Sequence, residues 1–185
     1  MSTPAESSGV RGTRYALLTV FFVGLRRRNP GAVVNAVAAA AGTYLPDFIA
    51  RAYGVELEPW QRAYVNTAML THAVGMLGPY DEVWWWDHLT HAHSSSILGG
   101  LIYAVSRRRG RDPGPRVVAV VVCLGLGWEL LEYVIHTAAN RLGLEPILVT
   151  YGPKDTALDI VFDLVGAVLV LAFGDCVLGE FEDGE

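Results

Sequence analysis

Three stretches of this sequence carry side chains able to bind a cation or move a proton. The first holds Asp87, His88, His91 and His93, the second Glu129, Glu132 and His136, and the third Asp155, Asp159 and Asp163; His72 stands in an earlier stretch. At about 100° per residue on a helix, Asp87 and His91 share one face, and Glu129, Glu132 and His136 form a narrow stripe. Asp155, Asp159 and Asp163 recur every fourth residue and form another, with Gly166 beside them to let a neighbouring helix approach. Asp87, His91, Glu129, Glu132, His136 and Asp159 together offer imidazole nitrogens and carboxylate oxygens, a mixed set suited to Zn²⁺, Mn²⁺ or Fe²⁺. Inward Glu and His residues at short helical spacing recur in dimetal carboxylate bundles.

In the metal reading, Asp87, His91, Glu132, His136 and Asp159 hold a divalent ion, and Glu129 or Asp163 is the general base that activates its water. His72, His88 and Asp155 are further candidate ligands. Two other readings stand beside it: a proton relay or substrate pocket without metal, and a polar network that only joins helices. Taken singly, His88 and His93 read as interfacial histidines with the ring half in water. Ser95 beside His91 lacks the glycine-bracketed turn of a nucleophile elbow.

The elements that must position these groups are apolar. Of 185 residues, 52% are hydrophobic and only 18% charged, below the quarter usual in a soluble domain. Mean hydropathy is +0.33, and the apolar residues gather into segments at 15–25, 31–50, 61–78, 84–105, 117–138 and 156–178. Helices are the expected form, because a segment in lipid must satisfy its own backbone hydrogen bonds. The expected fold is an all-α, polytopic transmembrane bundle of six spans, or five with the short first segment half inserted. Residues 1–13 read as a flexible tail, 14–178 as a single transmembrane domain and 179–185 as an acidic tail. Trp84, Trp85 and Trp86 read as interface anchors. Cys123 and Cys176 read as small buried hydrophobes, and Gly99, Gly100, Gly125, Gly127 and Gly166 as close-packing residues. A net charge of −5 leaves no cationic footprint for nucleic acid.

Six spans would gather Arg11, Arg14, Arg51, Arg62, Arg107, Arg108, Arg109, Arg111 and Arg116 on one side, against Arg26, Arg27, Arg28, Arg141 and Lys154 on the other. That asymmetry places both termini in the cytoplasm. Because successive spans alternate in direction, His72, Asp87, His91, Glu132, His136, Asp159 and Asp163 then all fall at one depth, in the outer leaflet. Charged groups at membrane depth cost roughly 3 kcal/mol each on insertion scales, which marks such a cluster as a site.

The order WWDHLTHAHSSSILGG, WELLEY and DTALDIVFDLVGA resembles the YjdF-like family of inner-membrane proteins, itself similar to VanZ-like proteins. Asp87 and His91, Glu129 and Glu132, and Asp155, Asp159 and the Gly166–Ala167 pair match that pattern over roughly residues 61–175. The chain departs from it at Asp163, where the family often has an amide, and in a shorter loop between the third and fourth segments. The resemblance implies a multi-pass membrane protein and adds no reaction. The leading expectation is a small membrane protein whose His/carboxylate site binds a divalent metal and hydrolyses or modifies a lipid or lipid-linked small molecule in the bilayer, with the enzyme class left open. The alternatives are a proton- or cation-coupled transporter and a non-catalytic scaffold.

Overall fold

The computed structural model of the chain describes residues 4–54 and 56–178, with side chains from residue 9 onward. Residues 1–3 and the expected acidic tail at 179–185 lie outside the described residues. Every regular element among the described residues is an α-helix, in two compact units.

The first unit spans residues 1–86 together with 145–147. It contains α1 (Pro4–Arg27), α2 (Pro30–Gly42), α3 (Leu45–Tyr53), α4 (Pro59–Gly75) and the single turn α5 (Pro79–Glu82). Helix α1 starts within the expected tail and runs unbroken through the apolar segment at 15–25. Each of α2, α4 and α5 begins on a proline, whose fixed φ and missing N–H suit the first helical position. Asn29 caps α2, its Oδ1 accepting from the Ala32 N–H at 2.8 Å, while its Nδ2 donates to the Met76 carbonyl at 2.9 Å. The segment expected as one helix at 31–50 is broken at Thr43–Tyr44, just before Pro46. Proline has no N–H to bond one turn back, and its ring crowds the carbonyl there. Arg14 covers the break, donating to Thr43 Oγ1 at 3.0 Å with its guanidinium 3.9 Å over the Tyr44 ring. Leu17, Val20, Ala36, Ala39 and Ala73 form this unit's core, small residues on α2 and α4 letting the helices lie close.

The second unit, residues 87–144 and the described residues from 148 to 178, is built on α6 (Trp86–Arg108), α7 (Pro113–Leu142) and α8 (Pro153–Leu178). Its apolar core is Tyr103, Val117, Val121, Ala167 and Val170. A Cβ added at Gly166 would overlap Ser95 Oγ and stand 2.5 Å from the Ala92 carbonyl oxygen, so α6 and α8 meet almost backbone to backbone there. Gly99 lets Val117 and Val170 pack on α6, as expected of it, whereas Gly127 has nothing within 4 Å and packs against no neighbour. Helix α7 ends at Gly143, whose φ of +67° closes the helix in the left-handed region that glycine occupies without strain.

Among the described residues, three helical segments are long and apolar enough to cross a membrane: Pro30–Tyr53, Pro113–Leu142 and Pro153–Leu178. Helices α1, α4 and α6 occupy the other three expected spans and are more polar; α6 alone carries Asp87, three histidines and four serines. Leu124, Leu126, Leu130 and Val134 on α7, and Val161, Val165, Val168 and Phe173 on α8, point outward. Cys123 and Cys176 are exposed as well, which corrects their reading as buried groups. Helices apolar on both faces belong in a lipid or protein surround.

Candidate metal centre

The second unit alone builds the polar site. Helix α6 supplies Asp87, His88 and His91 from its first two turns, α7 supplies Glu129 and Glu132 from its second half, and α8 supplies Asp155, Asp159 and Asp163 from its first half. Asp159 is 2% exposed, Asp163 4%, His88 5%, His91 7% and Glu129 8%, so the cluster is inside the protein. No lysine or arginine occurs at 87–106, 117–140 or 155–178. Positive charge on these three helix stretches can come only from an imidazolium or a bound cation.

His91 is the centre of the arrangement. Its Nδ1 lies 3.2 Å from Asp163 Oδ1. An ionised carboxylate only accepts, so with Asp163 ionised the hydrogen of that bond sits on Nδ1; Nε2 then carries a lone pair in the neutral ring and a second N–H in the imidazolium. Nε2 faces Asp87 Oδ1 at 3.7 Å, Glu129 Oε1 at 3.9 Å and Asp159 Oδ1 at 4.0 Å. Each separation is too long for a hydrogen bond. Ligand atoms of Asp87, His91 and Asp159 lie within 4.8 Å of one another, so this group can hold a metal ion. In a tetrahedral site with bonds near 2.0–2.1 Å, neighbouring ligand atoms stand about 3.3 Å apart, so closing the group around an ion takes shifts of a few tenths of an ångström up to about 1.5 Å between ligand atoms.

A surrounding layer fixes these groups. His88 Nδ1 bonds Asp159 Oδ1 at 3.1 Å, and the His88 ring stacks on Phe162 with centroids 4.7 Å apart. Thr156 Oγ1 donates to Glu129 Oε2 at 2.7 Å, whereas Glu129 Oε1, on the His91 side, is buried with no hydrogen-bond partner. Glu132 lies within electrostatic range of Glu129, Asp87 and His91 and near Trp128. Asp155 similarly interacts with Asp87 and Asp159.

The expected residues therefore fall into groups. Asp87, His91 and Asp159 come together, with Glu129 beside them, and Glu132 and Asp155 flank the group. His136 instead accepts a hydrogen bond from the Thr150 N–H at 3.3 Å, where the loop after α7 folds back on the helix. Seven residues at 1.5 Å each put it about 10 Å along the axis from Glu129, so sharing a stripe does not bring it to the same level. His72 belongs to the first unit, where its Nδ1 meets Tyr80 Oη at 2.8 Å. His88 is buried and bonded to Asp159, which corrects its reading as a half-hydrated interfacial residue. Thr156 was not foreseen, since a lone threonine beside an acidic stripe carries no distinguishing spacing.

An all-helical chain with apolar, membrane-length segments and a buried histidine–carboxylate cluster defines a class of integral membrane protein. The chain belongs to the family described as predicted membrane protein (DUF2238), whose pattern matches residues 11–180. It is also similar to an uncharacterized protein of Thermotoga maritima, 24% identical over 119 residues, covering 60% of this chain and 59% of that one. The match thus spans about three-fifths of the relative's length. No solved structure matches the chain.

Proposed function

We propose that this protein is a multi-pass membrane protein that binds one divalent metal ion, Zn²⁺, Mn²⁺ or Fe²⁺, through Asp87, His91 and Asp159. The observation that carries the reading is the orientation of His91. With its Nδ1 directed to Asp163, its Nε2 is aimed at a ring of carboxylate oxygens 3.7–4.0 Å away. Carboxylate oxygens gathered in a buried site repel one another, and a cation among them, ligated by Nε2 of the neutral ring, turns that repulsion into coordination; a proton on Nε2 is the competing occupant. Glu129 Oε1, buried and without a hydrogen-bond partner, is the group available to complete the ligand set or to take a proton from water held there. Glu132 and Asp155 add negative charge around the ion, and His136 has no place in the ligand set of this reading.

The reaction class that this chemistry fits is hydrolysis or modification of a lipid or lipid-linked small molecule, reached from the bilayer. The fuller topology belongs to the same proposal: six spans within residues 14–178 as one membrane domain, α1, α4 and α6 crossing with the three more apolar segments, and both termini in the cytoplasm. The family match supports kinship with the YjdF-like proteins; kinship with the VanZ-like group rests on the order of the motifs WWDHLTHAHSSSILGG, WELLEY and DTALDIVFDLVGA alone.

The experiment is metal analysis of protein purified in mild detergent. Near-stoichiometric Zn, Mn or Fe in the wild type, lost in His91→Ala and Asp159→Asn, supports the site. Metal far below stoichiometry in the wild type, or unchanged in both variants, rejects it.

A further inference from the structure

We propose that Asp163 and Gly125 act together as positioning residues for His91, Asp163 holding the imidazole through Nδ1 and Gly125 leaving the space that the Asp163 carboxylate occupies. The inference rests on the metal reading for its consequence and on geometry for its content.

Asp163 and the ion-binding group address opposite edges of one imidazole ring. Its Oδ1 is 3.2 Å from Nδ1, whereas Asp87, Glu129 and Asp159 surround Nε2. A carboxylate placed on Nδ1 does not reach an ion held at Nε2, so Asp163 acts through His91 and not as a ligand. Such an outer carboxylate selects the tautomer, fixes the plane of the ring and raises the basicity of the coordinating nitrogen.

Asp163 is in turn held by shape. Its Oδ2 is buried without a hydrogen-bond partner, so no donor fixes that side of the carboxylate and the packing around it must. A Cβ added at Gly125 would overlap that oxygen and come within 3.3 Å of Asp163 Cγ and 3.2 Å of Ile160 Cδ1. The α7 backbone at Gly125 is therefore the wall against which the α8 carboxylate rests. Any side chain at 125 displaces the carboxylate from Nδ1, and the imidazole is then free to turn or to move its hydrogen to Nε2, where it blocks coordination.

The test uses the full chain in detergent micelles, with Co²⁺ as the probe and ¹⁵N-labelled histidine as a second readout. Gly125→Ala and Asp163→Ala are expected to bind Co²⁺ 10–100-fold more weakly than wild type, with an altered visible absorption band. Asp163→Asn, whose amide oxygen still accepts from Nδ1–H, is expected to retain the band with a smaller loss. Gly127→Ala, which meets nothing within 4 Å, is expected to behave as wild type. In the metal-free protein the His91 ¹⁵N shifts are expected to report Nδ1–H, and to lose that signature in Gly125→Ala and Asp163→Ala. Wild-type affinity, absorption and tautomer in both alanine variants overturns the proposal while leaving the metal site standing. A tautomer change in a protein that binds no Co²⁺ supports the positioning role and rejects the metal reading. If Asp163→Ala does not fold, the comparison of Gly125→Ala with Gly127→Ala and Asp163→Asn decides the matter.

Discussion

Replacing Gly166 by alanine tests whether the helix contact at α6–α8 sets the geometry of the site. The added Cβ would stand 2.5 Å from the Ala92 carbonyl oxygen and 2.9 Å from the Ser96 nitrogen, both backbone atoms that cannot rotate away. Against ordinary contact distances these are shortfalls of about 0.9 and 0.5 Å, so α6 and α8 must separate by roughly that much. His91 and Asp163 lie one turn from this contact, and their 3.2 Å hydrogen bond would stretch to about 4 Å, beyond bonding range. Overpacking of this kind costs about 1–3 kcal/mol, offset by up to about 1 kcal/mol from alanine's better helix propensity. Gly127→Ala has the propensity gain without the clash and is the matched control. At one heating rate in one detergent, followed by size-exclusion chromatography, Gly166→Ala is expected to melt roughly 2–10 °C below Gly127→Ala. Its Co²⁺ affinity is expected to fall together with its melting temperature. Equal melting temperatures with undiminished affinity would refute the argument that this contact holds the site.

Three further outcomes follow from the same geometry. Thr156→Val removes the 2.7 Å donor to Glu129 Oε2 while keeping the side chain's shape, leaving both oxygens of a buried carboxylate without a hydrogen bond. It is expected to cost about 1–3 kcal/mol, read as a lowered melting temperature that Thr156→Ser restores. His88→Phe keeps an aromatic ring against Phe162 and deletes the bond to buried Asp159, so metal affinity is expected to fall about tenfold and the melting temperature to drop as in Thr156→Val. With Cys123 and Cys176 replaced by alanine, a single cysteine at Gly110 is expected to resist a membrane-impermeant thiol reagent in intact cells, and one at Lys154 to react. The reverse labelling pattern would invert the proposed orientation.

The helical class and the main site residues were legible because both rest on local rules. Apolar segments bounded by prolines and arginines mark helices, and Asp87 with His91, or Asp159 with Asp163, share a face wherever the chain is helical. Stripes fix angle and not level, however. His136 has the right angle on α7 but stands too far along the axis, and a loop N–H whose approach no local pattern encodes takes its Nδ1. His88 looked peripheral because its angle is offset from that of Asp87 and His91; only the placement of α8 brings Asp159 and Phe162 against it. The break between α2 and α3 was signalled by Pro46, but a proline near the end of an apolar run is also compatible with a kinked continuous helix. What Arg14 does at that break is a contact between residues 29 positions apart, which spacing alone does not show. The polar character of α6 is the cost of holding the site, and it is why that helix has lower hydropathy than α7 or α8.

X-ray absorption at the edge of the metal bound by the purified protein tests the central claim most directly. A first shell of nitrogen and oxygen alone near 2.0–2.2 Å, with the outer-shell scattering of an imidazole that disappears in His91→Ala, is the predicted result. A shell containing sulfur, or an imidazole signal that persists in His91→Ala, would contradict a centre built on His91, Asp87 and Asp159.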